Sequence, residues 1–268
     1  MNDSTLAPEV LAYYDRGGEA SRLADSASGR LEFLRTQDIL RRVLPPAPAG
    51  ILDVGGGHGV HATWLAADGH EVLLVDPVES QVAAASRHPG VKAQLGDARN
   101  LSQPADHADA TLLLGPLYHL QTREERLTAL REAKRVTRPG GIVAVATINR
   151  YSAWLDAARR HFFTSRDGIT AMLDTAAETG ELHGWDRDLF TTAFLHRPDE
   201  IHAETATAGL TEIRQFGIEG PAWLMADLEP DLDDTRSRQA IMDGLRRFES
   251  EPSLLGASSH LLTVARVP

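Results

Sequence analysis

Cysteine is absent from the 268 residues, which excludes disulfides, thiolate zinc sites and cysteine nucleophiles. Lysine is scarce as well, occurring only at Lys92 and Lys134, a bias of composition without mechanistic content. Positive charge is in deficit: 27 basic residues face 38 acidic ones, for a formal charge of −11. A protein that neutralises many phosphates normally carries a basic face, so a large nucleic-acid partner is not expected. No run approaches the roughly 20 apolar residues of a membrane span. The opening Met1-Asn2-Asp3-Ser4-Thr5 lacks the basic and apolar parts of a signal peptide. These absences point to a soluble, cytoplasmic protein with neither a membrane nor a nucleic-acid partner; oligomeric state is left open.

What is present fits one globular domain spanning residues 1–268. Residues 1–45 read as a helical cap, with Leu31, Leu34, Ile39, Leu40 and Val43 at helical spacing and Pro45-Pro46-Ala47-Pro48 as the stop. From residue 46 to 148 short apolar runs alternate with helical patterns. Strands are predicted at Gly50–Val54, Glu71–Val75, Val91–Leu95, Ala110–Leu114 and Ile142–Thr147, with helices near His61–Ala67, Glu79–Arg87 and Arg123–Val136. That alternation predicts an α/β fold with a mostly parallel sheet covered by helices on both faces. Residues 149–197, rich in aromatics, and 218–258 read as lid or substrate inserts. Between and after them come a helix near Pro198–Ala208 and strands at Thr211–Phe216 and His260–Arg266.

The first strand runs directly into Gly55-Gly56-Gly57-His58-Gly59. Glycines there allow positive φ and close approach of a ligand to the backbone, and the following helix offers unpaired N–H groups. Dinucleotide enzymes use the same device, but valine at position 60 breaks their G-x-G-x-x-G spacing. Asp53 sits inside the strand end, where a pyrophosphate gains nothing from a carboxylate and a cationic amine does. Asp76, ending the second strand, is placed to accept two ribose hydroxyls. Asp97, in Gly96-Asp97-Ala98 after the third strand, is placed to accept from an exocyclic amine. Any one of these could be a solvated loop aspartate. Three at successive strand ends point to a ligand, because ligands bind at that edge of such sheets.

Taken together, Asp53–Gly59, Asp76-Pro77, Gly96-Asp97-Ala98-Arg99 and the Arg138-Pro139-Gly140-Gly141 turn resemble the class I S-adenosylmethionine-dependent methyltransferase family over about residues 30–148. Leu114–Leu120 resembles a bacterial subgroup of it. The resemblance implies a Rossmann-like seven-stranded sheet of order 3-2-1-4-5-7-6 with the last strand antiparallel, a helical lid, and S-adenosylmethionine as cofactor. It implies that the Asp53–Gly59 turn holds the methionine part, through Gly55 and Gly57. Asp76 and Pro77 would meet the ribose and Asp97 the adenine amine, while Ala98 and Arg99 flank the ring and Gly115 closes the cofactor site. The expected activity is methyl transfer to an O, N or C centre of a small metabolite. Gly115-Pro116-Leu117-Tyr118 stands where amino-methyltransferases carry Asn or Asp followed by Pro-Pro and an aromatic, which argues against a base or glutamine-amide acceptor. The alternatives are a cofactor-binding protein of the same fold without catalysis and an NAD-type oxidoreductase.

For the chemistry, His119 is the first choice of general base, since histidine titrates near neutral pH, and His196 the second. His119 could instead cap the next helix or pack beneath the lid. Arg22 is expected to pair with the cofactor carboxylate, with Arg35 as its competitor and Tyr14 beside it. Tyr13, Tyr118, Tyr151, Phe190 and Trp223 are the substrate-side candidates, although aromatic stripes are more often core. His58 and His61 lack a third ligand, so no metal is expected. Arg159-Arg160 and Arg246-Arg247 read as solvated faces.

Overall fold

In the computed structural model, residues 23, 25–164, 167–183 and 191–268 are described. Helix α1 (Ala27–Val43) starts where Ser26 accepts from Gly29 N–H at 3.1 Å and leads into the central sheet. Strand β1 (Gly50–Val54), helix α2 (Val60–Ala67), β2 (Glu71–Asp76), α3 (Glu79–Ala85) and β3 (Val91–Leu95) form the first half. Strand β4 (Ala108–Leu113), α4 (Arg123–Val136) and β5 (Thr137–Ile148) follow. Helix α4 opens on a reciprocal cap between Thr122 and Glu125, which satisfies two end donors at once. Ala108 pairs with Thr137 and Ala110 with Ile142, so residues 138–141 loop out of the pairing. The Arg138–Gly141 turn therefore lies within β5 and not ahead of it.

The chain then builds α5 (Ser152–Arg159), α6 (Ile169–Thr179) and a two-residue pairing of β6 (Glu181–Leu182) with β7 (Ala193–Phe194). Helix α7 (Pro198–Thr207) and strand β8 (Thr211–Gly217) return to the sheet. Short α8 (Glu229–Asp233), α9 (Thr235–Phe248) and α10 (Pro252–Leu255) precede β9 (His260–Arg266). The sheet order is β3-β2-β1-β4-β5-β9-β8, which is 3-2-1-4-5-7-6 when the seven main strands are counted alone. Strand β9 is antiparallel to both neighbours.

The strands alternate between two cores with the period of two that a pleated strand imposes. Ile51, Leu112, Ile142 and Ala144 face α1 and α2, whereas Leu52, Leu113, Val143 and Val145 face α4 and α7. Among the described residues no helix is long and apolar enough to cross a membrane.

The segment after β8 is fastened to α1. Leu31 packs with Leu228, Leu232 and Leu245, and Arg30 pairs with Glu229 and Asp233. Arg35 is fully buried; it donates to the Ile218 carbonyl at 3.0 Å and pairs with Asp38 at 2.7 Å and Glu249 at 2.5 Å. Removing one partner of a buried ion pair leaves the others uncompensated. Arg35→Met is expected to lower stability by about 3–5 kcal/mol, read as the urea midpoint followed by circular dichroism.

Candidate functional site

Parallel strands end at one edge of a sheet, and the turns after β1, β2, β3 and β4 meet there. Gly55 adopts φ 71° and donates to the Val75 carbonyl at 2.7 Å. A Cβ on Gly55 would lie 2.5 Å from Pro116 Cγ, so the turns after β1 and β4 touch only because this residue is glycine. Gly57, at φ 59°, donates its N–H to Asp76 Oδ2 at 2.9 Å, and Val78 N–H donates to Oδ1 at 2.9 Å. Burial raises the Asp76 carboxyl above its ordinary range, outweighing those two donors, which act to lower it.

Asp53 is the unusual group. It lies in phase with Ile51 near the end of β1, is fully buried, and among the described residues neither carboxylate oxygen has a hydrogen-bond partner. Burial, with the Asp76 carboxylate as a second cause, pushes it up to about 7. A buried unsatisfied carboxylate is costly, and one kept at the wall of a cavity fits a ligand bearing an amine.

One cavity at this edge is lined by Asp53, Gly55, Gly57, Asp76, Pro77, Asp97, Ala98, Gly115, Tyr118 and His119. Arg99 does not line it. Its guanidinium is turned back onto Asp97 at 2.6 Å and Glu125 at 2.8 Å, so it braces the Asp97 turn and does not flank the ligand. His61, also in the wall, accepts from Trp64 Nε1 at 3.2 Å.

A second cavity of about 480 Å³ adjoins the first and shares Tyr118 and Glu32 with it. Ile148, Met172, Leu173 and Trp223 give it an apolar lining, and Arg159 and Arg160 stand at it. Trp223 is held there by donating Nε1–H to the Ala257 carbonyl at 2.9 Å.

Three expectations need correction. His196 reaches neither cavity: it is fully buried, with Nε2 3.4 Å from Glu204, beneath a network that includes Arg126. It is a core histidine. Arg35 ties α1 to Glu249 and cannot face a cofactor carboxylate. Tyr151 is 46% exposed and lines neither cavity. Tyr13, Tyr14, Arg22 and Phe190 lie outside the described residues. His119 is in the first cavity, but burial pushes it down to about 4 even though the Thr192 carbonyl accepts from it. At neutral pH it is uncharged and a weak proton acceptor.

Sequence reasoning missed Gln81, buried in the first cavity behind Gly57, together with Glu32, Glu219 and His260 at the second. The helical period flagged the apolar neighbours of Glu32 but carried no sign that an acid beside them faces a cavity.

The glycine-loop cavity fits a nucleoside joined to an amine-bearing chain, and comparison with known proteins agrees. Residues 51–141 match the family described as methyltransferase domain. A ubiquinone biosynthesis O-methyltransferase of Rhizobium rhizogenes is 28% identical over 173 residues, covering 63% of this chain and 62% of the relative. The enzyme of that name from Rhizobium johnstonii is 30% identical over 189 residues, 68% of each chain. The chain thus spans about three-fifths of the length of the first of these relatives. A solved S-adenosylmethionine-dependent methyltransferase of Thermotoga maritima superposes with a TM-score of 0.58 at 16% identity, over 97% of this chain and 99% of that one. The chain belongs to the class I S-adenosylmethionine-dependent methyltransferase family, and S-adenosylmethionine is its cofactor.

Proposed function

We propose that this protein transfers a methyl group from S-adenosylmethionine to an oxygen of a small aromatic acceptor. The observation that carries the reading is the pair of adjoining cavities, one walled by glycines and carboxylates and the other mainly apolar, with Tyr118 and Glu32 between them. A volume of about 480 Å³ suits a small ligand, and two of the relatives it resembles are named ubiquinone biosynthesis O-methyltransferases. A negative net charge supports a small acceptor over a nucleic acid, and a cytoplasmic setting is part of the same reading.

When bound, the cofactor supplies an electrophilic methyl group on a sulfonium. The chain's own residues bind and orient. Asp53 pairs with the amine, and the Gly55 and Gly57 backbone lets the chain of the cofactor lie close. Asp76 accepts from the ribose hydroxyls, Asp97 from the adenine amine, and Pro77, Ala98 and Gly115 pack against the rings. The described residues of 149–197 and 218–258 make up the acceptor side beside the 46–148 core, with residues 25–45 next to them. In-line transfer depends chiefly on this positioning.

Protein incubated with methyl-tritiated cofactor and a panel of catechols, phenols and hydroquinones is expected to form S-adenosylhomocysteine only when an acceptor is present. Cofactor binding without transfer to any oxygen, nitrogen or carbon acceptor would overturn the reading.

Asp76→Ala is expected to weaken cofactor binding by about 10- to 100-fold in calorimetry, since charge-assisted hydrogen bonds contribute roughly 1.5–3 kcal/mol each. Unchanged affinity would mean that Asp76 does not meet the ribose.

Asp53→Asn separates stability from binding. With its carboxyl held near 7 in the fold and 3.8 as its ordinary value, the native state keeps a proton that the unfolded chain has lost between those values. Native stability therefore falls as pH rises through that window. The asparagine variant lacks this penalty. It is expected to be more stable than wild type at pH 8, by an amount on the order of a few kcal/mol, with the difference shrinking steadily as pH falls toward 4. Its cofactor affinity should fall at least about tenfold. A lower melting point at pH 8 would refute the account.

A further inference from the structure

His260 and Glu219 stand at the second cavity and take no part in the cofactor cradle. Strand β9 runs against its neighbours, so its first residue, His260, pairs with Ile148, the last residue of β5. That brings His260 to the edge where the parallel strands end. Strand β8 is antiparallel to β9 and so ends at this edge too, with Glu219 two residues beyond it. Helix α1 presents Glu32 to the same place, and all three line the acceptor cavity.

The geometry at Glu219 is specific. Glu219 is buried and its carboxylate meets three polar groups. The Ser258 hydroxyl donates to Oε2 at 2.9 Å, the backbone N–H of His260 donates to Oε2 at 3.0 Å, and His260 Nδ1 lies 2.5 Å from Oε1. Ser258 is in turn fixed by the N–H groups of Glu219 and Gly220. A buried carboxylate satisfied in this way accepts from Nδ1–H, which sets the tautomer in which Nε2 is the basic nitrogen. A second carboxylate, Glu32 Oε2, lies 3.7 Å from the same Nδ1. Both would favour an imidazolium formed on proton uptake. A carboxylate that holds a histidine in the right tautomer and supports its charge is the orienting half of a base dyad.

We propose that His260 is the proton acceptor for the methyl-transfer reaction, with Glu219 as its positioning residue and Glu32 as a second charge partner. This rests on the methyl-transfer reading above. The acceptor's O–H proton passes to His260 Nε2, and the O–H bonding pair remains on the oxygen as it takes the methyl group. The carbon–sulfur pair stays on sulfur, and the imidazolium later loses its proton to solvent. His119, at the first cavity, is pushed down to about 4 by burial and is a weak proton acceptor at neutral pH.

The first test needs no turnover. Long-range proton–nitrogen spectra of ¹⁵N-labelled protein, with the His260 signal assigned through His260→Gln, are expected to show the Nδ1–H tautomer. In Glu219→Gln the imidazole should titrate at lower pH. An Nε2–H tautomer, or a titration unmoved by Glu219→Gln, would overturn the dyad.

In turnover with catechol, or the best acceptor of the phenol panel, His260→Gln should lower kcat about 10²- to 10⁴-fold. Cofactor affinity by calorimetry should stay within about twofold. Glu219→Gln should shift the acid limb of the kcat/KM profile, and free imidazole should partly restore His260→Ala. Turnover of His260→Gln within threefold of wild type would overturn the proposal and leave the methyltransferase reading standing. A wild-type protein that methylates none of the panel would overturn both. Glu32, Glu219 and His260 also place ligand atoms within 4.8 Å of one another. Activity abolished by EDTA and restored by Mg²⁺ would therefore overturn the base assignment in favour of a metal site.

Discussion

The constraint on which the rest of this molecule depends is that a parallel sheet delivers all its strand ends to one edge. Buried strands rarely carry charged side chains in their middles, so the functional groups stand near the strand ends or in the turns beyond them. Asp53, Asp76 and Asp97 arrive from three successive strands, and Gly55 allows the fourth turn, at Pro116, to pack against the first. The reversed strand β9 extends the rule. Because it runs backward, its beginning coincides with the other strands' ends, and a second set of groups reaches the same edge from the far half of the sheet.

Two sets of forces hold these groups. On the cofactor side the supports are local: Asp76 is fixed by Gly57 and Val78 N–H groups, and Asp97 by Arg99. On the acceptor side they are long-range. Glu32 is placed by α1, whose position depends on leucines and arginines contacting residues 228–249. The buried Arg35 cluster therefore acts at a distance on the site. It holds the helix that presents Glu32, although Arg35 itself touches no ligand-facing surface.

This division explains which residues could be read from the chain. The glycine turn and its three aspartates follow recognisable strands within a few residues, so period and spacing expose them. His260 and Glu219 are 41 residues apart, and nothing in either neighbourhood marks a partner. Their association is created by two antiparallel pairings and the turn at Ser258. His119 and His196 show the opposite failure. Both were conspicuous as histidines near predicted strand or helix ends, and what separates them from His260 is burial and partner. His196 is sealed beside Glu204 and Arg126, and His119 is pushed down chiefly by desolvation. The Arg138–Gly141 turn was legible, but its inclusion within β5 was not, since a looped-out segment depends on pairing with β4.

Asp53 is tolerated because its cost is offset in two ways. A carboxylate with neither oxygen bonded is among the more expensive things a core can hold, and substituting an apolar residue there would stabilise the unliganded fold. Its cost is limited by protonation, since a value near 7 leaves much of the population neutral. A cationic amine reverses the balance. It supplies the missing donors and a compensating charge at a buried carboxylate, where such pairs are worth more than in water. The destabilisation carried by the free protein thereby becomes selectivity for an amine-bearing ligand over a neutral nucleoside. Asp76 adds to this because its own charge raises Asp53 and makes the pocket less hospitable to anions. The cradle is thus tuned by repulsion between two carboxylates as much as by attraction to the ligand, and a dinucleotide pyrophosphate would meet both.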